Sequence, residues 1–321
     1  MTKNKSLPSK YIIKTAKFVW KTLWQTMMSN LAPRNPQGEY IRPQSQFRHT
    51  INTDSNNPYQ PSKDRYRLYV GLGCPWAHRT LVVRALKALT DTISVSIVNP
   101  SPDEGFWVLN QPEFGCRTLP ELYNFAQPGY QGRCTVPVLW DLQTNTIVNN
   151  ESAEIIVILN SQFHDFANNQ DLYPPALQPE IDRWNEKIYH TVNNGVYRCG
   201  FAQSQAAYDT ACQELFTTLD TIEQTLENNP YLCGDTLTLA DVRLFTTLFR
   251  FDIVYYSLFK CNIRRIQDYK NLSNYLRIIY NLPGVAETCD LESIKRDYYG
   301  NLFPLNPGGI IPQGPDMQYL K

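Results

Sequence analysis

Four residues, Gly71 to Cys74, carry the chain from a β-type run, Leu68-Tyr69-Val70, into helical periodicity at Ala77, Leu81, Val82, Ala85, Leu86 and Leu89. A strand that feeds a helix this directly predicts a βαβ unit, with the cysteine of Gly71-Leu72-Gly73-Cys74-Pro75 at the helix start. Unpaired N–H groups and the positive end of the helix dipole favour a thiolate there, which makes Cys74 a candidate nucleophile. Position 77, where the second thiol of a C-x-x-C pair would stand, is Ala. The thiol that resolves a mixed disulfide on Cys74 must come from elsewhere, most simply from a small molecule. Cys-Pro by itself leaves a buried, inert cysteine open. The flanking strand and helix, and the close approach that Gly71 and Gly73 permit, favour the reactive reading.

The periodicity around this junction sets out two domains and an N-terminal extension. Strands at 67–70 and 93–98 flank a helix at 75–89, and an irregular insert covers 99–132. Strands at 136–140 and 146–148 follow, joined by a polar turn at 141–145, and then a helix at 152–160. The order β-α-β, then β-β-α, predicts an α/β thioredoxin-like domain over 66–165. Pro137 has no N–H to give a ladder, and a cis peptide at Val136-Pro137 would expose the Val136 backbone groups at the strand end. From about residue 175 only helical spacing remains, as in Ile181-Trp184-Ile188 and Leu215-Leu219-Ile222-Leu226. This predicts an all-α domain over 175–321, in which Thr238 and Asp241 form a capping box. Residues 1–65 read as a basic amphipathic helix and an extended arm.

Composition excludes several classes. Thirty basic and thirty acidic residues cancel, so no nucleic-acid partner is indicated. Eight scattered cysteines read as reduced thiols of a cytoplasmic protein, without the spacing of a disulfide scaffold or zinc site. The four histidines form no metal-binding pattern, and no metal is expected. No run is long and apolar enough to span a bilayer. Between Tyr11 and Leu31 an apolar stripe alternates with Lys10, Lys14, Lys17 and Lys21. Such a stripe packs on the protein's own body or a second subunit, or lies on an anionic membrane surface through residues 10–31.

Longer stretches carry a resemblance. They are Gly38-Glu39-Tyr40-Ile41-Arg42-Pro43 with Ser45-Gln46-Phe47-Arg48, then Gly73 to Arg79, Thr135 to Asp141, Ile147 to Ile156, Asn193 to Ala202, Asp297-Tyr298-Tyr299 and Leu305 to Pro315. In this order the chain resembles the glutathione transferases, and within them the Xi class, the glutathionyl-hydroquinone reductases. The resemblance implies a thioredoxin-like domain followed by an all-α glutathione transferase C-terminal domain, and a homodimer. It implies glutathione held by the Val136 backbone, by Glu151 and Ser152 at a helix start, by Trp107 as a cover and by Arg133 at the glycyl carboxylate. The family writes Gly-Trp where this chain has Gly105-Phe106-Trp107, a departure of one residue. The aromatic substrate is expected against Tyr197 and Tyr298, with Tyr299 and His78 in structural roles.

The implied reaction is the glutathione-dependent reduction of glutathionyl-hydroquinones through a Cys74-glutathione mixed disulfide, with glutathione as reductant. Two alternatives share these residues. One is an omega-like thiol transferase or dehydroascorbate reductase, and the other a non-catalytic binding protein of the same architecture.

Overall fold

The structure is a computed structural model that describes residues 9–41, 44–101 and 105–321. Arg42 and Pro43 of the first motif, and residues 102–104 of the insert, lie outside the described residues. Apolar runs build a six-stranded sheet in the order β4-β3-β2-β1-β5-β6. Strand β1 (Tyr66–Val70) runs parallel to β2 (Ile93–Pro100), with Leu68 opposite Val95, and antiparallel to β5 (Val138–Asp141), with Leu68 opposite Leu139. Strand β6 (Thr146–Asn149) closes one edge. Helix α2 (Pro75–Leu86) follows β1 as predicted and ends earlier than residue 89, because the chain turns at Ala88 with φ 56°.

The insert is not irregular. It forms β3 (Trp107–Glu113), β4 (Cys116–Thr118) and helix α3 (Leu119–Ala126), which widen the sheet beyond β2. Only Leu109 of β3 is fully buried, so the strand shows no apolar alternation. Its turn into β4 uses Phe114 at φ 52° before Gly115 at φ 77°, and a bulky residue at positive φ does not advertise a hairpin. Helix α3 does carry a readable signal: Glu121 N–H donates to Thr118 Oγ1 at 3.3 Å and Thr118 N–H donates to the Glu121 carboxylate at 3.0 Å, a reciprocal capping box.

Helix α4 (Ser152–Ser161) packs beside α2, whose opposite side meets α8 (Leu239–Arg250). Sandwiched in this way, α2 buries even His78 and Arg79. The remaining helices are α5 (Gln178–Ile188), α6 (Gly195–Gly200), α7 (Gln205–Thr225), α9 (Lys270–Tyr280) and α10 (Leu291–Asn301). Wide π turns, Tyr189–Asn193 and Phe251–Tyr255, follow α5 and α8. The Asp241 carboxylate accepts from Thr238 N–H at 2.8 Å, Leu232 N–H at 2.9 Å and the Tyr275 hydroxyl at 2.9 Å. The expected cap thus doubles as a buried junction between α8 and α9.

Helix α1 (Ser9–Leu31) departs from the expectation that its stripe packs on the protein's own body. Met28 is fully buried and Trp24 partly so, but Ile12, Ile13, Val19, Trp20 and Leu23 are exposed. Only the last turns therefore dock. No described helix is long and apolar enough to cross a membrane.

At the end of β5, Arg65 donates to both oxygens of the fully buried Asp141 carboxylate, at 2.8 and 2.7 Å. Burial pushes the Asp141 carboxyl up, yet Arg65 and Thr144 outweigh it and hold it below its ordinary value. The unfolded chain then binds this proton more tightly. The pair's contribution is full above about pH 4 and is lost as pH falls through the depressed folded value. Asp141→Asn is expected to cost about 3–5 kcal/mol at pH 7 and to flatten the acid limb of stability. Urea unfolding from pH 7 to 3 measures both, and an unchanged slope would count against the pair.

Candidate active site

Cys74 caps α2 from an extended conformation, with Pro75 as the first helical residue, where a missing N–H costs nothing. Its N–H donates to Gly71 O at 3.0 Å, closing a tight turn, and its carbonyl accepts the His78 N–H at 3.0 Å. The sulfur is half-buried and lies 3.9 Å from the Val136 carbonyl oxygen. The Val136-Pro137 peptide is cis, as the sequence predicts, and β5 begins after it at Val138. The Val136 backbone is therefore presented beside the sulfur.

Two buried charges from the helical half hold the turn before Cys74. The Arg250 guanidinium, with no exposed surface, donates to Gly73 O at 2.8 Å and Leu72 O at 2.9 Å. It also donates to His78 Nδ1 at 2.8 Å and Thr246 O at 2.9 Å. On α10, Asp297 Oδ2 accepts the Gly73 N–H at 3.1 Å. Burial pushes the Asp297 carboxyl up, against the opposing effects of Arg296 and of this N–H. A Cβ on Gly73 would overlap the Asp297 carboxylate, so the position requires glycine. With Arg250 on Nδ1, His78 Nε2–H donates to Thr288 Oγ1 at 2.8 Å. Burial, reinforced by Arg250, keeps this imidazole well below its ordinary pKa and neutral. Both ring nitrogens are occupied away from the sulfur, in keeping with a structural role.

Trp107, at the start of β3, is partly buried with its ring over Gly71, where a Cβ would overlap it. The shifted tryptophan is thus brought to the Cys74 turn. Glu151 is the N-cap of α4, its carboxylate accepting Ala153 N–H at 3.2 Å and the Ser45 hydroxyl at 3.0 Å. Ser152 follows with its N–H at the first helical position, where no intrahelical acceptor exists, and its buried hydroxyl 3.4 Å from Arg79 Nη1. Arg133 is exposed on the loop before Thr135, and its guanidinium makes no hydrogen bond among the described residues.

Facing the sulfur is a cluster of phenols. Tyr197 on α6 and Tyr298 on α10 have their hydroxyl oxygens 2.6 Å apart, and Tyr298 lies 3.0 Å from the Tyr255 hydroxyl in the π turn after α8. Burial pushes all three phenols above their ordinary pKa. Negative charge on Cys74 is close enough to raise Tyr197 and Tyr255 further. They stay protonated at neutral pH and remain hydrogen-bond donors. Tyr40, from the arm, lies with its ring 6.5 Å from that of Tyr197. Tyr299 points elsewhere, donating to Ile253 O at 3.0 Å and bonding Ser257.

Arg250, Tyr255, Asp297 and Ser45 were not singled out from sequence. Arg250 had one signal, a charge closing the uncharged stretch from Leu244 to Phe249. Asp297 stood beside Tyr298 in a quoted motif, and Ser45 stood in another. Tyr255 had none. Among the described residues no cluster of three or more His, Cys, Asp or Glu could hold a metal ion.

A thioredoxin-like sheet whose helix-capping cysteine faces an all-α half is the build of a glutathione transferase. The description "Glutathione S-transferase, N-terminal domain" matches residues 73–162, and "Glutathione S-transferase, C-terminal domain" matches 205–277. The chain is 47% identical to glutathionyl-hydroquinone reductase YqjG of Escherichia coli, over 92% of this chain and 93% of the relative. The glutathione-bound structure of YqjG superposes with a TM-score of 0.82, covering 86% of this chain and 94% of that one. Glutathionyl-hydroquinone reductase PcpF of Sphingobium chlorophenolicum is 45% identical, over 92% and 94% of the two chains. "Glutathione S-transferase omega-like 2" of Schizosaccharomyces pombe is 44% identical, over 87% and 94%. The chain belongs to the glutathione transferase family of enzymes, in the branch of the glutathionyl-hydroquinone reductases.

Because Gly73 is gripped on both sides, Gly73→Ala is expected to shift Cys74 and lower turnover by about 100-fold, the cost of a displacement near 1 Å. Circular dichroism should show the fold retained, and unchanged kcat/KM would contradict the clamp. Arg250→Met strands Leu72 O, Gly73 O and His78 Nδ1, with an expected loss of about 3–5 kcal/mol in urea unfolding.

Proposed function

We propose that this enzyme reduces glutathionyl-hydroquinones to hydroquinones at the expense of glutathione. The observation that carries the reading is the pairing of one half-buried thiol beside the Val136 backbone with three protonated phenols on the facing helices. A protein that only exchanges disulfides has no need of the second group. In the proposed reaction the Cys74 thiolate attacks the sulfur of the aryl thioether. The new bond is the Cys74-glutathione disulfide, the aryl carbon–sulfur bond breaks, and its electron pair takes a proton to give the free hydroquinone. A second glutathione, as thiolate, attacks the disulfide, releases oxidised glutathione and restores the Cys74 thiolate. Overall the thioether sulfur and one glutathione thiol are oxidised to a disulfide and one ring carbon is reduced, so the balance closes.

Carbon is a poorer leaving group than sulfur, and this is where the phenols act. Tyr298, hydrogen-bonded to both Tyr197 and Tyr255, would hold a quinol oxygen and favour the keto form that accepts the electron pair. Glutathione itself would lie along Val136, with its γ-glutamyl end at the N–H groups of Ser152 and the carboxylate of Glu151, and Trp107 over it. Arg133 would reach the glycyl carboxylate from its exposed loop. Eight unpaired thiols suit a reducing compartment, which we take to be the cytoplasm, and the family resemblance favours a homodimer.

The omega-like relative keeps thiol transfer as a second reading. The two separate on Tyr298→Phe. The first predicts that turnover of glutathionyl-menadiol falls by about 10²–10⁴-fold while reduction of a simple glutathione mixed disulfide is nearly unchanged. Equal effects on both substrates would favour thiol transfer. Cys74→Ala is expected to abolish both activities and the ping-pong pattern, and residual turnover would refute the cysteine's role.

A further inference from the structure

Helix α1 is a 23-residue element without one acidic residue. At 100° per residue its lysines, Lys10, Lys14, Lys17 and Lys21, fall in a stripe roughly 60° wide. Beside that stripe an apolar arc of roughly 120° runs through Ile12, Ile13, Ala16, Val19, Trp20 and Leu23. In a helix serving only the protein's own core this arc would be buried. Here Ile12 is 52% exposed, Ile13 54%, Trp20 47% and Leu23 52%, while Met28 in the last turns is fully buried and anchors the element to the body.

We infer that α1 is a docking surface for an anionic lipid bilayer, with the apolar arc in the headgroup boundary and the lysines along its edge. Charge chooses among the occupants. A second α1 would bring four more positive charges against the first, whereas an anionic surface neutralises them. The apolar arc and the adjacent ammonium groups are the two parts such a surface recognises, and long lysine stems let the charge reach the phosphates beside a buried arc. Eight residues separate the end of α1 from Tyr40, whose ring abuts Tyr197. Docking would therefore hold the phenol side of the site close to the membrane. The inference stands independently of the reaction proposed above.

Sedimentation of the full chain with phosphatidylglycerol/phosphatidylcholine vesicles tests it, with pure phosphatidylcholine vesicles as reference. Binding is expected only to the anionic vesicles, falling at least tenfold between about 0.1 and 0.5 M salt as screening shortens. Replacing the four lysines with Gln should lower partition by at least about 100-fold, since each contributes roughly fivefold. Ile13→Ser with Trp20→Ser should lower it as well, and both variants should keep wild-type turnover of soluble substrate. No binding, equal binding to neutral vesicles, or no effect of the lysine substitutions would overturn the inference. So would a fall in oligomer mass in the Ile13/Trp20 variant, which would assign the face to a second copy of the chain.

Discussion

The site depends on a single buried cation. Arg250 sits at the end of α8 with no solvent contact and gives its N–H groups to Leu72 O, Gly73 O, Thr246 O and His78 Nδ1. Burying a guanidinium is costly unless its donors are met, and here they are met by the peptide groups of the turn that aims Cys74. Asp297 completes the grip by taking the Gly73 N–H from the other side. A turn between strand and helix would otherwise be free to shift by more than a reacting sulfur tolerates. Anchored to α8 and α10, it is fixed relative to Tyr298 on α10 and Tyr255 in the π turn after α8.

The same arrangement explains the division of labour between the two halves. The sheet supplies the backbone of Val136 beside the sulfur and the start of α4, both suited to an extended peptide-like ligand. The helical half supplies Tyr197, Tyr255 and Tyr298, whose mutual hydrogen bonds and burial keep them protonated. A thiolate needs stabilising donors but no competing acid strong enough to quench it, and phenols held above their ordinary pKa satisfy both demands. His78, which the spacing after Cys74 might suggest as a base, is held neutral and turned toward Thr288 and Arg250.

Much of this was legible in the chain because it is written in local rules. The Gly-rich junction before Pro75, the proline opening β5, and the Thr238/Asp241 cap each follow from backbone requirements of a few residues. The tyrosines and Glu151-Ser152 came through the family resemblance. What escaped depends on contacts distant in sequence. Strand β3 is recruited by the free side of β2 and has one fully buried residue to announce it. Ser45 meets Glu151 across more than a hundred residues, and Arg250 reaches Gly73 across still more. Periodicity cannot report such pairs. The Thr118/Glu121 box, in contrast, follows a local rule and is readable within the stretch 99–132.

In the proposed reaction Cys74 takes the glutathionyl group before any second glutathione arrives. Rapid mixing of the enzyme with glutathionyl-menadiol, with free glutathione omitted, tests it most directly, followed by acid quench and peptide mass analysis. About one equivalent of menadiol per active site is expected, with the tripeptide attached to the peptide containing Cys74. Release of menadiol only after glutathione is added, or attachment at another cysteine, would contradict it.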